Sequence, residues 1–339
     1  MQKIGIIQTA FIGDVVLSTA LLESLHVQFP NAVIDLIVRK GNEGLVKDHP
    51  FIHEVIIWDK QNNKYKNWWD VLLKLRKNKY DVLINVQRFA ATGLWMLFSK
   101  AKTTIGFNKN PFSFFFTHSV VHTIQNAAHH EIDRNHLLTV PLGVIPKAKP
   151  KLYPTYADYE KVKPYQIVPY ICIAPASVWF TKQFPVDQWI RWVNELSFEG
   201  NVFLLGGPGD MNISKKIETG FIKTASSQKK LINLTGQLSL LASAALQEKA
   251  VLNYVNDSAP MHFASAMNAP VVAIYCSTVP DFGYGPLSTN SFVVQTNQQL
   301  NCRPCGIHGK KQCPAGHFNC AYQIQMQQLQ APLQKMQQQ

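Results

Sequence analysis

Ile4-Gly5-Ile6-Ile7 is a short, strongly apolar run that leads through Gly13-Asp14 into the apolar stretch Val15 to Leu25. A strand, a turn bearing a carboxylate and a helix form the opening unit of a parallel α/β sheet. A second such unit lies far downstream. There Asn256-Asp257-Ser258-Ala259-Pro260-Met261-His262 is followed by small residues and the apolar run Val271-Val272-Ala273-Ile274-Tyr275. Such turns sit at the carboxyl ends of strands, where open α/β sheets bind ligands. One in each half predicts two domains facing each other across a cleft.

The pattern between these units agrees. Strand-like runs are expected over 3–9, 33–38, 55–58, 82–86 and 103–106, with helical patterns clearest over 15–29 and 68–79. A second alternating series has strands over 171–174, 202–205, 251–254, 271–275 and 292–295, and a helix over 186–196. Strands alternating with helices mean βαβ units. Six prolines between Pro141 and Pro169 mark an interdomain connection. The expected organisation is therefore a Rossmann-like domain over 1–160, a second over 165–322, and a Gln-rich tail over 323–339, either helical or loose.

A chain of 339 residues fits two ordinary cores, and 46% hydrophobic residues with a mean hydropathy of −0.07 describe a globular protein. No run approaches the roughly 20 apolar residues of a spanning helix, and no secretory leader is visible, so the expected location is the cytoplasm. The net charge of +12 favours an anionic partner: nucleic acid, a membrane surface or a phosphorylated substrate. No nucleic-acid-binding module stands out, so no nucleic-acid partner is expected. Cys172 and Cys276 lie in apolar strands and read as core residues. Cys302, Cys305, Cys313 and Cys320 cluster near His308 and His317; the second pair lacks tight zinc spacing, and reduced thiols with no bound metal are expected.

Four loops carry the candidate chemistry. Gly13 lets backbone approach a ligand, and Asp14 beside it is either a helix N-cap or a carboxylate facing the cleft. Ala174 to Lys182 leaves a strand, offering hydroxyls and N–H groups to a diphosphate with Lys182 as a point charge. Gly206 and Gly207 supply bare backbone at another strand end, with Asp210 available to a ribose hydroxyl; the spacing is not the dinucleotide fingerprint. Asp257 and Ser258 are placed to cap a helix through Met267, with His262 one turn on.

The order of these motifs resembles glycosyltransferase family 9, the bacterial heptosyltransferases. The resemblance runs from about Ile4 to about Cys320, through Gly13-Asp14, Pro175 to Lys182 with Phe184-Pro185, and Leu205 to Asp210. It continues through Asn233 to Gly236, Asn256 to His262 and Pro270 to Ala273. It implies a GT-B fold, α/β with two Rossmann-like domains whose parallel sheets face a central cleft. It further implies inverting, metal-independent transfer of a heptose from an ADP-heptose donor to a lipopolysaccharide inner-core acceptor of Kdo-lipid A type, with no cofactor. Asp14 matches the family's general base, Ser177 and Lys182 the donor diphosphate contacts, and Asp210 an acidic residue near the nucleoside. Asp257, Ser258 and His262 match the donor-site loop. Ala259, Val178 and Phe184 depart from residues usual in the family.

Two alternatives accompany this reading: a transferase of the same family using another nucleotide sugar, and a non-catalytic basic protein that binds anionic glycolipid. A phosphorylated glycolipid acceptor gives the positive charge a partner at the inner face of the inner membrane. The segment Lys60 to Lys79, with Trp68 and Trp69, and the aromatic run Phe112 to Phe116 are the expected peripheral contacts with that anionic surface.

Overall fold

The computed structural model describes residues 3–124, 130–223 and 229–338. By backbone contact the chain divides into two compact units, Met1–Tyr153 and Pro154–Gln339.

In the first unit, strands β1 (Lys3–Gln8), β2 (Val33–Arg39), β3 (Glu54–Trp58), β4 (Val82–Asn85), β5 (Thr103–Phe107) and β6 (His118–Val120) form a parallel sheet in the order β3-β2-β1-β4-β5-β6. Helix α1 (Ile12–Gln28) follows β1, α2 (Lys64–Asn78) follows β3 and α3 (Ala90–Phe98) follows β4. Ten residues of α1 are buried. Ser18, Thr19 and Ser24 are tolerated there because each hydroxyl donates to a carbonyl of the preceding turn, at 2.6–2.8 Å. Ile7, Ile37 and Trp58 pack against Val71, Leu72 and Leu75 of α2 and Trp95 of α3. Trp68 turns inward too: its indole stacks on Trp95 and donates to the Ala91 carbonyl at 2.9 Å. Trp69 stays exposed. Phe116 is likewise buried, leaving Phe114 and Phe115 as the exposed rings of the aromatic run.

The second unit repeats the plan. Strands β7 (Tyr170–Ala174), β8 (Asn201–Leu204), β9 (Lys230–Asn233), β10 (Leu252–Asn256), β11 (Val271–Tyr275) and β12 (Ser291–Gln295) pair in parallel in the order β12-β11-β10-β7-β8-β9. Its helices are α5 (Tyr156–Val162), α6 (Val186–Glu195), α7 (Met211–Gly220), α8 (Leu240–Glu248), α9 (Ala259–Ala266), α10 (Asn319–Tyr322) and α11 (Met326–Gln337); α4 (Glu131–His136) belongs to the first unit. Trp189 and Trp192 of α6 anchor one face beside Tyr254, together with Leu329 and Leu333 of the Gln-rich tail. This architecture, two six-stranded parallel sheets flanked by helices, is the α/β class expected from the sequence.

The proline-rich stretch is more tightly held than a simple connection. Lys151 N–H donates to Thr19 Oγ1 at 2.9 Å, Ala148 N–H to Ser24 Oγ at 3.0 Å, and Tyr153 Oη to Glu23 Oε1 at 2.7 Å. Thr155 then caps α5 in a reciprocal pair with Asp158, and Tyr159 donates to Glu248 at 2.9 Å. Among the described residues no helix is long and apolar enough to cross a membrane.

Candidate active site

In each sheet the strand order reverses beside the first strand, between β1 and β4 in one unit and between β7 and β10 in the other. Loops leaving the carboxyl ends at such a switch point splay apart and leave room for a ligand. The loops after β1, β7 and β10, which carry most of the candidate residues, all lie there.

Asp14 does not cap α1 from outside. The N-cap is Phe11, and Asp14 sits in the first helical turn, where Oδ2 accepts the Phe11 N–H at 3.2 Å. Gly13 is helical as well, so it is no turn residue. Burial pushes the Asp14 carboxyl up to about 6, helped by the negative charge of Glu131 and opposed by the Phe11 N–H and Arg88. A carboxylate of that basicity is suited to accepting a proton near neutral pH.

The loop before Asp14 is stapled from several sides. Gln87 donates to Gln8 Oε1, Asn42 to the Ala10 carbonyl at 2.9 Å, and Lys60 Nζ to the Thr9 carbonyl at 2.7 Å. Lys60, expected at the membrane surface, is thereby turned inward over the Trp58 ring, and its ammonium is pulled down to about 8 by burial and by Arg39 and Lys64. Arg88 follows β4 across the switch point. His122, which feels Arg88, Arg134 and Lys109, is lowered to about 4, with burial the largest cause. Sequence reading missed Arg39, Arg88, Glu131 and His122, which meet Asp14 or its neighbours only through tertiary structure.

In the second unit Lys182 Nζ lies 2.7 Å from Asp257 Oδ2, and Thr278 Oγ1 donates to the same oxygen at 2.7 Å. Asp257 is therefore a partner of Lys182 and not a helix cap. Ser258 occupies the N-cap of α9, yet its hydroxyl makes no cap hydrogen bond and donates to the Asn256 carbonyl at 3.3 Å. His262 is buried one turn along α9. Asn256 fastens the two loops together. Its Nδ2 donates to the Pro175 carbonyl at 2.7 Å, and its Oδ1 accepts the Phe184 N–H at 3.0 Å. Ser177 lies between those anchors, half-buried, its carbonyl accepting from Gln183 Nε2 at 2.6 Å.

The glycine loop follows β8, the strand next to β7. Asp210 Oδ2 accepts the Gly207 N–H at 2.8 Å. A Cβ on Gly206 would meet the Asp210 Cβ at 2.9 Å, so only glycine lets this turn close. Behind the Lys182 loop, Thr181 N–H donates to the Lys310 carbonyl at 3.1 Å, Lys310 N–H to Thr181 Oγ1 at 2.7 Å, and Cys305 N–H to the Ser277 carbonyl at 2.9 Å. Arg303 donates to the Cys276 and Thr278 carbonyls, both at 2.7 Å. The cysteine-rich segment thus buttresses the Lys182–Asp257 pair. Among the described residues no group of three or more His, Cys, Asp or Glu is arranged to hold a metal ion. Cys172, in the middle of β7, and Cys276, just after β11, are buried thiols whose acidity is suppressed by burial.

The model of glycosyltransferase family 9 (heptosyltransferase) matches residues 68–318. The chain belongs to that family. It is a glycosyltransferase. Lipopolysaccharide heptosyltransferase 3 of Escherichia coli is 25% identical over 297 residues, covering 83% of this chain and 85% of the relative. Among solved structures, the E. coli ADP-heptose lps heptosyltransferase II superposes with a TM-score of 0.80 at 21% identity, covering 99% of this chain and 98% of that one. A family 9 glycosyltransferase from Veillonella parvula gives a TM-score of 0.84 at 21% identity, with 99% and 97% covered. These likenesses carry the fold; the roles of individual residues rest on the geometry above.

Proposed function

We propose that this family 9 enzyme moves a heptose from ADP-heptose to a phosphorylated inner-core glycolipid of lipopolysaccharide, inverting the anomeric centre without a metal. The observation that carries this reading is the placement of a raised-pKa carboxylate, Asp14, and a cation already paired to a carboxylate, Lys182, at the switch points of their respective sheets. The relatives named above as lipopolysaccharide and ADP-heptose enzymes support the choice of sugar and nucleotide.

The chemistry follows from these groups. Asp14 takes the proton of the acceptor hydroxyl as its oxygen attacks the anomeric carbon. The bond to the diphosphate breaks on the opposite face, which inverts the configuration, and the electron pair leaves with ADP. Lys182 and the Ala259 N–H at the start of α9, where Pro260 has no N–H and Met261 N–H is bonded to the Ser258 carbonyl, counter the charge that develops on the departing phosphate. A diphosphate arriving at Lys182 takes over the role Asp257 fills in its absence, so donor binding exchanges one ion pair for another. Ser177 and the Gly206-Gly207 backbone supply hydrogen-bond partners, and Asp210 serves the nucleoside. Arg39 and Arg88 near Asp14 suit the phosphates and carboxylates of the acceptor.

The test is direct. Purified enzyme is offered ADP-heptose, ADP-hexoses and UDP-sugars with a Kdo-lipid A acceptor, and product is followed by mass spectrometry with and without a chelator. Transfer from ADP-heptose that survives chelation, with inverted anomeric configuration by NMR, is the expected result. Preference for a UDP-sugar, or loss of activity on chelation, would reject the donor or the metal-independent mechanism.

A further inference from the structure

The positive charge of this protein is concentrated in one segment. Residues 60–124 carry eleven Lys and Arg against two acids, Asp70 and Asp81, so about three quarters of the net +12 lies in under a fifth of the chain. The fold puts much of that charge on the α2–α3 side of the first unit.

Helix α2 has two coherent faces. Val71, Leu72 and Leu75 are buried against the sheet. Tyr65, Trp69 and Leu73, four residues apart, form an outward stripe that is 81%, 56% and 60% exposed. Lys66, Arg76 and Lys77 border it. At the carboxyl end of the helix, Arg76, Lys77, Lys79, Lys100 and Lys102 line a cavity of about 500 Å³ floored by Tyr80. Lys102 is paired with Asp81 at 2.7 Å. Lys79 and Lys100 both hold positive φ, 51° and 60°, where glycine is the low-cost residue, yet each position carries a cation. Phe98 at the end of α3, and Phe114 and Phe115 between β5 and β6, are also exposed.

An apolar stripe rich in aromatic rings and bordered by cations is the composition that lies in a bilayer interface. Nucleic acid would use the cations but would leave Leu73 without a role. We infer that the outer face of α2, with the cationic cavity at its end, docks this enzyme on an anionic lipid bilayer. The cavity lies beside the end of α2 that feeds β4, at the opposite end of the sheet from the loop bearing Asp14. The other end of α2 starts at the carboxyl end of the sheet, just after Lys60 holds the Thr9 carbonyl of the Asp14 loop, so a bilayer lying along the outer face of the helix reaches the end of the sheet where that loop lies. The inference does not depend on which sugar is transferred.

The test is flotation of the full chain with phosphatidylcholine vesicles, with or without phosphatidylglycerol, at low and high salt. Wild type is expected to float only with the anionic vesicles and to be released by salt. Arg76→Glu with Lys77→Glu and Lys79→Glu should weaken partitioning by about 100-fold or more, since each cation near the surface contributes on the order of fivefold. Trp69→Ser with Leu73→Ser, which leaves the charge intact, should weaken it by about 10-fold. Both variants should keep the thermal midpoint of wild type and full transfer to a water-soluble acceptor fragment. The inference is overturned by wild type failing to float with anionic vesicles, or by charge-reversed protein floating as wild type does. It also falls if a DNA duplex binds more tightly than vesicles and is indifferent to the Trp69 and Leu73 changes. A loss of transfer to the soluble fragment would place this face in the acceptor site and reject a separate docking role.

Discussion

Lys182 Nζ and Asp257 Oδ2 stand 2.7 Å apart, both largely out of solvent, with 15% and 7% of their side chains exposed. A pair this buried is poised: each charge depends on the other, and an incoming phosphate competes for the lysine. Lys182→Met leaves the Asp257 carboxylate with the Thr278 hydroxyl, at 2.7 Å, and without its cation. Breaking a buried pair from one side costs about 3–5 kcal/mol. The expected result is a clear fall in thermal midpoint together with at least tenfold weaker ADP binding by calorimetry. Lys182→Met combined with Asp257→Leu should recover the midpoint but not the affinity. Unchanged nucleotide affinity in both variants would remove Lys182 from the donor site.

The Asp14 carboxyl, raised from 3.8 to about 6, makes two claims about pH. As a base it must be ionised, so transfer should rise through an apparent pKa near 6 and level off above it. Asp14→Asn should lose that limb and nearly all turnover while keeping the hydrogen bond to the Phe11 N–H. Stability runs the other way. The folded state holds this proton more tightly than the unfolded chain, so the contribution is complete below pH 4 and is lost as pH rises through 6. At pH 7 and above Asp14→Asn should therefore be more stable than wild type, by up to about 2–3 kcal/mol. Chemical denaturation at pH 4 and pH 8 checks the sign: an equal effect at both would refute it.

Asn256 touches no proposed substrate atom, yet both ends of its amide hold the loop that carries Ser177 and Lys182. Asn256→Ala leaves the Pro175 carbonyl and the Phe184 N–H without these buried bonds, at about 1–3 kcal/mol each. KM for the donor should rise more than kcat falls, because the loop is loosened without removal of the charge. Asn256→Asp keeps the acceptor for Phe184 but sets a carboxylate against the Pro175 carbonyl, and it should be no better. A pure loss of kcat in either variant would instead place Asn256 in the chemical step.

Much of the fold is legible in the sequence because its central strands are continuous apolar runs: Ile4 to Ile7, Ile171 to Ala174 and Val271 to Tyr275 are buried on both faces. The edges are not. Strand β9 is Lys230–Asn233, with partly exposed side chains, and β6 is three residues long, so neither carries a periodic signal. The candidate loops are legible for a similar reason, since each interrupts an apolar strand with glycine, proline or a carboxylate. Their internal wiring is hidden. Asp257 looks like a helix cap from its neighbours in sequence, and only folding brings Lys182 to it across 75 positions. Glu131 and Arg88 influence Asp14 from comparable separations.

The Gln-rich tail is where composition misleads most. Polar residues dominate 323–339, but Met326, Leu329 and Leu333 of α11 are buried in the core of the second unit. Tyr254 Oη donates to the Leu329 carbonyl at 2.8 Å, and Gln328 Nε2 to the Gln295 carbonyl at 2.8 Å. Burying three such side chains is worth about 5–8 kcal/mol, comparable to the whole stability of a domain. Ending the chain at residue 323 should therefore abolish the cooperative transition or the solubility of the protein. Leu329→Ala and Leu333→Ala provide the graded version, each costing about 2–5 kcal/mol. Exposed Gln338→Ala should cost nothing measurable. Thermal scans of the four proteins decide it: a truncated chain that melts like the full one would mean that α11 packs without supporting the core.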